Sequence, residues 1–358
     1  MTGLHPLRVR CLRVAAQTPL GRSSAASAAA VRCHLSGIAE HPVWRDSAGE
    51  PLLVATATWL DVEGAPWRAQ ALGMAAAEEL LQGDEVPVMA RRRLGVGLFV
   101  ALSPLTVPRA DDRNRVVGAL TRSVTRLLTT VPTTVRGFAT GHGGGVDALL
   151  AAARALEAGE VDAALVIGAD SWIDIEILEA QDDRGALLTP ERGAGFIPGE
   201  GAGGLLLVRS TDEDDDSVEA RGAAGAALIG VAVADEHACQ GTATVCVGEA
   251  LSAAMSGALP SGALIHDAVT DLNGEPYRAD EFAMSTTRFA DRHADVSRFA
   301  APAENWGDTG AASAVLGCTL PLVAWQRDYG VNGPVAVWSS SAWLPRRGVA
   351  LWSQVESS

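Results

Sequence analysis

The stretch that sets the fold runs Thr134-Val135-Arg136-Gly137-Phe138-Ala139-Thr140-Gly141-His142-Gly143-Gly144-Gly145-Val146, continues through an Ala- and Leu-rich segment to Ala158, and closes with Gly159-Glu160-Val161-Asp162-Ala163-Ala164-Leu165-Val166-Ile167-Gly168-Ala169-Asp170. Thr134 to Phe138 predicts a strand, the Gly-rich segment after it a tight turn, Val146 to Ala158 a helix, and Ala163 to Ile167 a buried strand. That helix is small and apolar around most of its surface, with Val146, Ala148, Leu149, Leu150, Ala151, Ala152 and Ala153 in succession. Such a helix has to be covered on several sides, so it belongs in a middle layer.

Working outward, short apolar strands alternate with Ala-rich helical stretches along the whole chain, the pattern of layered α/β architecture. Leu7 to Ala16 and Gly95 to Leu102 read as strands, and Trp67 to Leu81 as an amphipathic helix. A second turn followed by a small-residue helix starts at Gly307-Asp308-Thr309-Gly310 and runs through Ala311, Ala312, Ala314, Val315, Leu316 and Cys318. The two segments echo each other, which suggests two packed halves. The boundaries expected are residues 1–211 for the first half, 212–217 for an acidic linker and 218–358 for the second half. The linker fails as a calcium loop, because its sixth position is Ser217 and its twelfth Ala223.

Composition narrows the chemistry. The 358 residues carry a formal net charge of -15, and all 28 basic residues are arginine. A Schiff-base lysine, a pyridoxal-phosphate anchor and a P-loop lysine are excluded, since each needs an amine. The excess of acid and the brevity of Arg91-Arg92-Arg93 argue against nucleic acid as a partner. No apolar run reaches the length of a membrane span, the best being Gly222 to Ala234, and the N-terminus lacks a signal-peptide apolar block. A cytoplasmic location is expected. Five scattered cysteines without CxxC spacing predict buried thiols, with neither disulfides nor a zinc site, and no cofactor is expected.

The segment from Phe138 to Gly145, with Ala153-Arg154 and Gly159 to Asp170, resembles the nucleophile segment of β-ketoacyl synthases. Thr18-Pro19-Leu20-Gly21, Leu35-Ser36-Gly37-Ile38 and Gly195-Phe196-Ile197-Pro198-Gly199-Glu200-Gly201-Ala202-Gly203 resemble further pieces of that family in the same order. A dinucleotide reading of the glycines after Pro198 fails, because they precede a strand, Leu205 to Val208, rather than follow one and open a helix. The resemblance implies the thiolase-like fold: two similar α/β halves in an α-β-α-β-α sandwich. It also implies a cysteine nucleophile backed by two histidines, or by a histidine and an asparagine. This chain departs from that pattern at each point. His142 stands at the nucleophile, Asp271 where the first histidine belongs, and Asp308 where the second belongs. Ala303 takes the place of the family's lysine, and Ser339-Ser340-Ser341-Ala342-Trp343-Leu344-Pro345 replaces the Gly-Phe-Gly-type loop that lends an N–H to the oxyanion hole.

Carboxylates at 271 and 308 would repel the enolate formed on decarboxylation, so condensation is not expected. The resulting expectation is an inactive ketosynthase-like protein, a scaffold, adaptor or non-catalytic subunit, with secretion-effector loading as one setting. Its partner would be a related synthase subunit or a secretion effector or accessory protein, and a homodimer is expected from the fold. The alternative is an acyl-thioester hydrolase or acyltransferase using His142 with Asp271 and Asp308. A site for one divalent metal at those same three residues was the other form a working pocket could take. The remaining histidines read as surface or core residues, with His266 beside Asp267 as the one to revisit. Trp306 next to Asp308 would plug a substrate tunnel.

Overall fold

The computed structural model describes residues 9–82, 94–210 and 226–355. The acidic run at 212–217, the arginines at 91–93 and part of the expected strand at Leu7 lie outside these residues. In chain order the elements are β1 (Val9–Gln17), α1 (Ser24–Arg32), β2 (Ile38–Arg45), β3 (Pro51–Ala55), α2 (Ala65–Leu80), β4 (Val96–Ala101), α3 (Ala110–Leu128), β5 (Thr134–Phe138), α4 (Gly144–Glu157), β6 (Ala163–Ser171), α5 (Ile175–Asp183) and β7 (Glu200–Arg209). The second part holds β8 (Ala226–Asp235), α6 (Glu249–Ala258), β9 (Asp267–Val269), α7 (Pro276–Arg288), β10 (Phe299–Ala300), α8 (Ala303–Trp306), α9 (Ser313–Gln326), β11 (Val335–Ser339) and β12 (Arg346–Gln354).

Strands β5-β4-β6-β7-β1 and β10-β9-β11-β12-β8 follow the same order, each with parallel outer pairs and antiparallel inner ones. The halves join edge to edge where Val9, Arg10 and Cys11 of β1 pair with Leu228, Ala227 and Ala226 of β8. Helices α4 and α9 lie between the two half-sheets, while α2 and α3 cover one outer face and α6 the other. Alternation along β6 shows how a strand serves two layers. Ala164 and Val166 face the middle layer with Val146, Leu149 and Val315, whereas Leu165 and Ile167 face Leu72 and Leu120 outside.

The echo seen in the sequence is conformational. Thr140 (φ -112°, ψ 21°) and Thr309 (φ -109°, ψ 17°) adopt the same backbone state, each leads into a short 3-10 turn, and each turn feeds a middle-layer helix. The glycines after Pro198 differ from expectation: β7 begins at Glu200, so Gly201, Gly203 and Gly204 lie inside the strand. α9 presses against Gly201 and Gly203, where a Cβ on Gly203 would come within 2.6 Å of Leu316 N, while Gly204 backs onto Leu80 of α2. The thiols differ as well, for only Cys11 and Cys318 are buried, while Cys33 is exposed and Cys239 and Cys246 are half-buried.

Candidate functional site

His142 sits in the 3-10 turn between β5 and α4, and the sequence makes that turn tight for a steric reason. Gly141 adopts φ +68°, and a Cβ there would stand 2.5 Å from Leu344; a Cβ on Gly143 would stand 2.5 Å from Arg346. Only glycine lets the loop before β12 approach this closely. His142 is thereby driven inward and is 2% exposed.

Inside, the His142 Nε2 atom lies 2.8 and 3.0 Å from the two carboxylate oxygens of Asp308. A carboxylate only accepts and a guanidinium only donates, so one Nε2 cannot hydrogen-bond both Asp308 and Arg278 Nη2, which stands 2.8 Å away; one of the two contacts is electrostatic alone. Nδ1 is buried and has no hydrogen-bond partner. Asp308 also accepts from Trp172 Nε1 at 3.0 Å, Gly310 N at 2.8 Å and Asn273 Nδ2 at 2.6 Å. Burial works to raise the Asp308 pKa, but the imidazole, Arg278 and these donors outweigh it and hold the carboxyl well below the usual range.

Arg278, the third residue of α7, is the member that sequence reasoning missed. It is 2% exposed. Its Nη2 lies 2.8 Å from His142 Nε2 and 3.5 Å from Asp308 Oδ2, its Nη1 lies 3.1 Å from Asp271 Oδ2, and its Nε lies 2.8 Å from Glu275 Oε2. Burial disfavours the guanidinium charge, yet Asp271, Glu275 and Asp308 together keep it firmly protonated. The negative charge of these carboxylates is therefore offset by a cation that no motif announced. Its one sequence signal, a position three residues after Glu275, is shared with many surface helix pairs.

Asp271 is held in the same network but does not touch His142 through its side chain. It accepts from Ser340 N at 2.6 Å, and Ser339 Oγ lies 2.7 Å from His142 O and 3.1 Å from Asp271 Oδ2. One N–H of the loop that replaces Gly-Phe-Gly is thus already taken by an internal carboxylate. His266 lies elsewhere, within 3.2 Å of Leu264 O. Trp306 packs against Ala16, Ala312 and Leu316, and with Ala303 it lines a cavity of about 20 Å³ beside Asp308. That space holds about one water molecule. A shallower depression of about 340 Å³, lined by Arg192, Gly195, Gln240 and Glu275 among others, stops at Glu275 and does not include His142 or Asp308 in its wall.

A second buried pair explains the Gly-Glu-Gly motif. Glu200 is fully buried and takes two 2.7 Å bonds from Arg68, with Ala57 N at 2.7 Å and Ser171 Oγ at 2.8 Å completing its shell. Asp170 is also fully buried; it accepts from Thr106, Ser171 N and Ala311 N, and burial pushes its pKa up to about 6. Both carboxylates have a structural explanation and no access to solvent.

Residues 139–213 match the sequence family described as beta-ketoacyl synthase, N-terminal domain. The ketosynthase from module 6 of the bacillaene synthase of Bacillus subtilis 168 superposes with a TM-score of 0.74 at 13% identity, over 97% of this chain and 72% of that one. A type II polyketide ketosynthase solved with its acyl-carrier protein, AntDE:AntF, gives 0.76 at 15% identity over 98% and 100%. The ishigamide ketosynthase/chain length factor gives 0.67 at 17% identity over 98% and 100%. No curated protein is recognisably similar in sequence. The fold is that of the thiolase-like ketosynthases. The sequence match to the β-ketoacyl synthase family is confined to residues 139–213, the segment that carries His142 and β7. No helix among the described residues is long and apolar enough to cross a membrane.

Proposed function

We propose that this chain is a non-catalytic ketosynthase-like subunit that works by binding a protein partner. The observation that carries the reading is the packing of Arg278 against His142 and Asp308, with space for about one water beside them. The cavity beside Asp308 is too small for an acyl thioester. Nε2 is enclosed by Asp308 and Arg278, and Nδ1 is buried without a hydrogen-bond partner, so neither acts as base or nucleophile without opening the core.

Two features support a partner. Among the described residues β5 ends the large sheet, and Val135, Arg136 and Gly137 are exposed along it. An unprotected edge of this length is suited to pairing with a second chain, a copy of this one or a related subunit. Similar folds are found as a ketosynthase with its carrier protein and as a ketosynthase/chain length factor, and an adaptor in secretion-effector loading is a second setting for the same binding role.

The deciding experiment incubates purified protein with a series of acyl-CoA and acyl-carrier-protein thioesters and follows intact mass and free acid. Neither adduct nor acid above background is expected. Turnover that His142→Ala abolishes would replace this reading with the hydrolase or acyltransferase one.

A further inference from the structure

Away from His142, the loop between β8 and α6 folds back onto α7 and brings together three groups from separate parts of the chain. Glu236 directly follows β8, Cys246 lies in the loop, and Glu281 lies one turn beyond Arg278 on α7. One ligand atom from each of the three lies within 4.8 Å of the others. Glu236 is 6% exposed, Glu281 is 1% exposed and Cys246 is half-buried. Cys246 Sγ stands 4.0 Å from Glu281 Oε1.

Glu281 carries the second, independent observation. Its Oε1 accepts from Arg347 Nε at 2.7 Å, but Oε2 is buried without any hydrogen-bond partner. A buried carboxylate oxygen left bare is costly, so such atoms are normally met by a donor, a water or a cation. Arg347 is already occupied, with Nη1 on Leu344 O at 2.6 Å and Nη2 on Tyr277 Oη at 2.9 Å. Glu236 spends its oxygens on Ala238 N and Ala250 N, at 3.0 and 3.3 Å, and each oxygen keeps a free lone pair.

We propose that Glu236, Cys246 and Glu281 form a binding site for one divalent metal ion of borderline softness, of the Zn²⁺ class. One thiolate and two carboxylates suit that class, with water in the fourth tetrahedral position. Binding deprotonates Cys246 and forms the metal–sulfur bond, the proton going to solvent. The charges then balance: three anionic ligands face the dication and Arg347. Ligand atoms around a tetrahedral ion of this kind lie about 3.3–3.8 Å apart, so the three groups close by about 1 Å, a shift within reach of glutamate rotamers. The ion ties the loop from Glu236 to Gly248 onto α7, the helix that carries Arg278.

The test titrates the reduced full chain with Co²⁺, followed by Zn²⁺ competition. One equivalent of Co²⁺ should give a sulfur-to-cobalt charge-transfer band and intense tetrahedral visible bands, both erased by Zn²⁺. Cys246→Ser should abolish the charge-transfer band, and Glu281→Gln should weaken binding at least tenfold, while Cys33→Ser leaves the spectrum intact. Far-UV circular dichroism verifies that each variant is folded. Absence of the charge-transfer band in the folded wild type, or its survival in Cys246→Ser, overturns the proposal. These outcomes are independent of acyl turnover and so of the reading of the His142 site.

Discussion

His142 Nε2 lies 2.8 Å from Asp308 Oδ1 and 2.8 Å from Arg278 Nη2, so one ring nitrogen is wedged between a buried carboxylate and a buried guanidinium. This relationship makes a packed joint between the N-terminus of α4, the segment before α9, and α7.

Arg278 is the cation on which the joint depends. Arg278→Met should destabilise the protein by about 3–5 kcal/mol at neutral pH, because Asp271, Glu275 and Asp308 lose their shared counter-charge. Urea denaturation at two pH values checks this. Part of the loss should be regained at lower pH, where protonation relieves the uncompensated carboxylates.

His142→Ala should be milder, about 1–3 kcal/mol, since Asp308 keeps Trp172, Gly310, Asn273 and Arg278. His142→Cys restores the residue type of the condensing enzymes without restoring a cavity. No acyl adduct should form with acyl-CoA, read by intact mass; a stable adduct would mean the site opens in solution.

Asp170 and Asp308 predict opposite pH behaviour. Asp170 is raised from 3.8 to about 6 by burial, so the folded state holds its proton more tightly than the unfolded chain does. Its contribution favours folding below about pH 4 and is lost as pH rises towards 6, by no more than about 3 kcal/mol. Asp170→Asn should remove that decline, measured as the urea midpoint between pH 4 and 6. Asp308 is held low, so its contribution is present above about pH 4 and lost on further acidification.

Arg68→Met strands the fully buried Glu200 and should cost about 3–5 kcal/mol, with a matching fall in thermal midpoint. Ser171, which bonds Glu200, is followed directly by Trp172, which bonds Asp308, so combined with Arg278→Met the losses should depart from additivity by more than about 0.5 kcal/mol.

The exposed edge of β5 gives a prediction on assembly. Light scattering should report a mass above the 37.0 kDa chain. Val135→Asp, which sets like charges opposite each other across a two-fold pairing of β5, should lower it to the monomer mass without changing far-UV circular dichroism.

Much of the architecture was legible in the residues themselves. The bounds of β5 at Thr134–Phe138 match the reading, and helices expected from Val146 and after Gly310 lie in the middle layer. Local chemistry is sufficient there, because an all-round small apolar helix has one kind of place to go. The start of β7 was misread because glycines suggest a turn, and only the face of α9 against them shows why a strand needs them. The site was legible in part: His142 and Asp308 meet directly, and Asp271 joins them through Arg278 and Ser339.

By itself the sequence determined that the chain lacks lysine and where the layers fall. Periodicity and residue identity are properties of a line of residues. The tertiary structure alone decided that Arg278 enters the site, that Trp172 and Asn273 hold Asp308, and that Cys246 meets Glu236 and Glu281. Most of these contacts join residues 35 to 136 positions apart, as with Asn273 and Asp308 or His142 and Arg278, and no local pattern encodes a partner that only the packing of separate helices and loops brings within bonding distance.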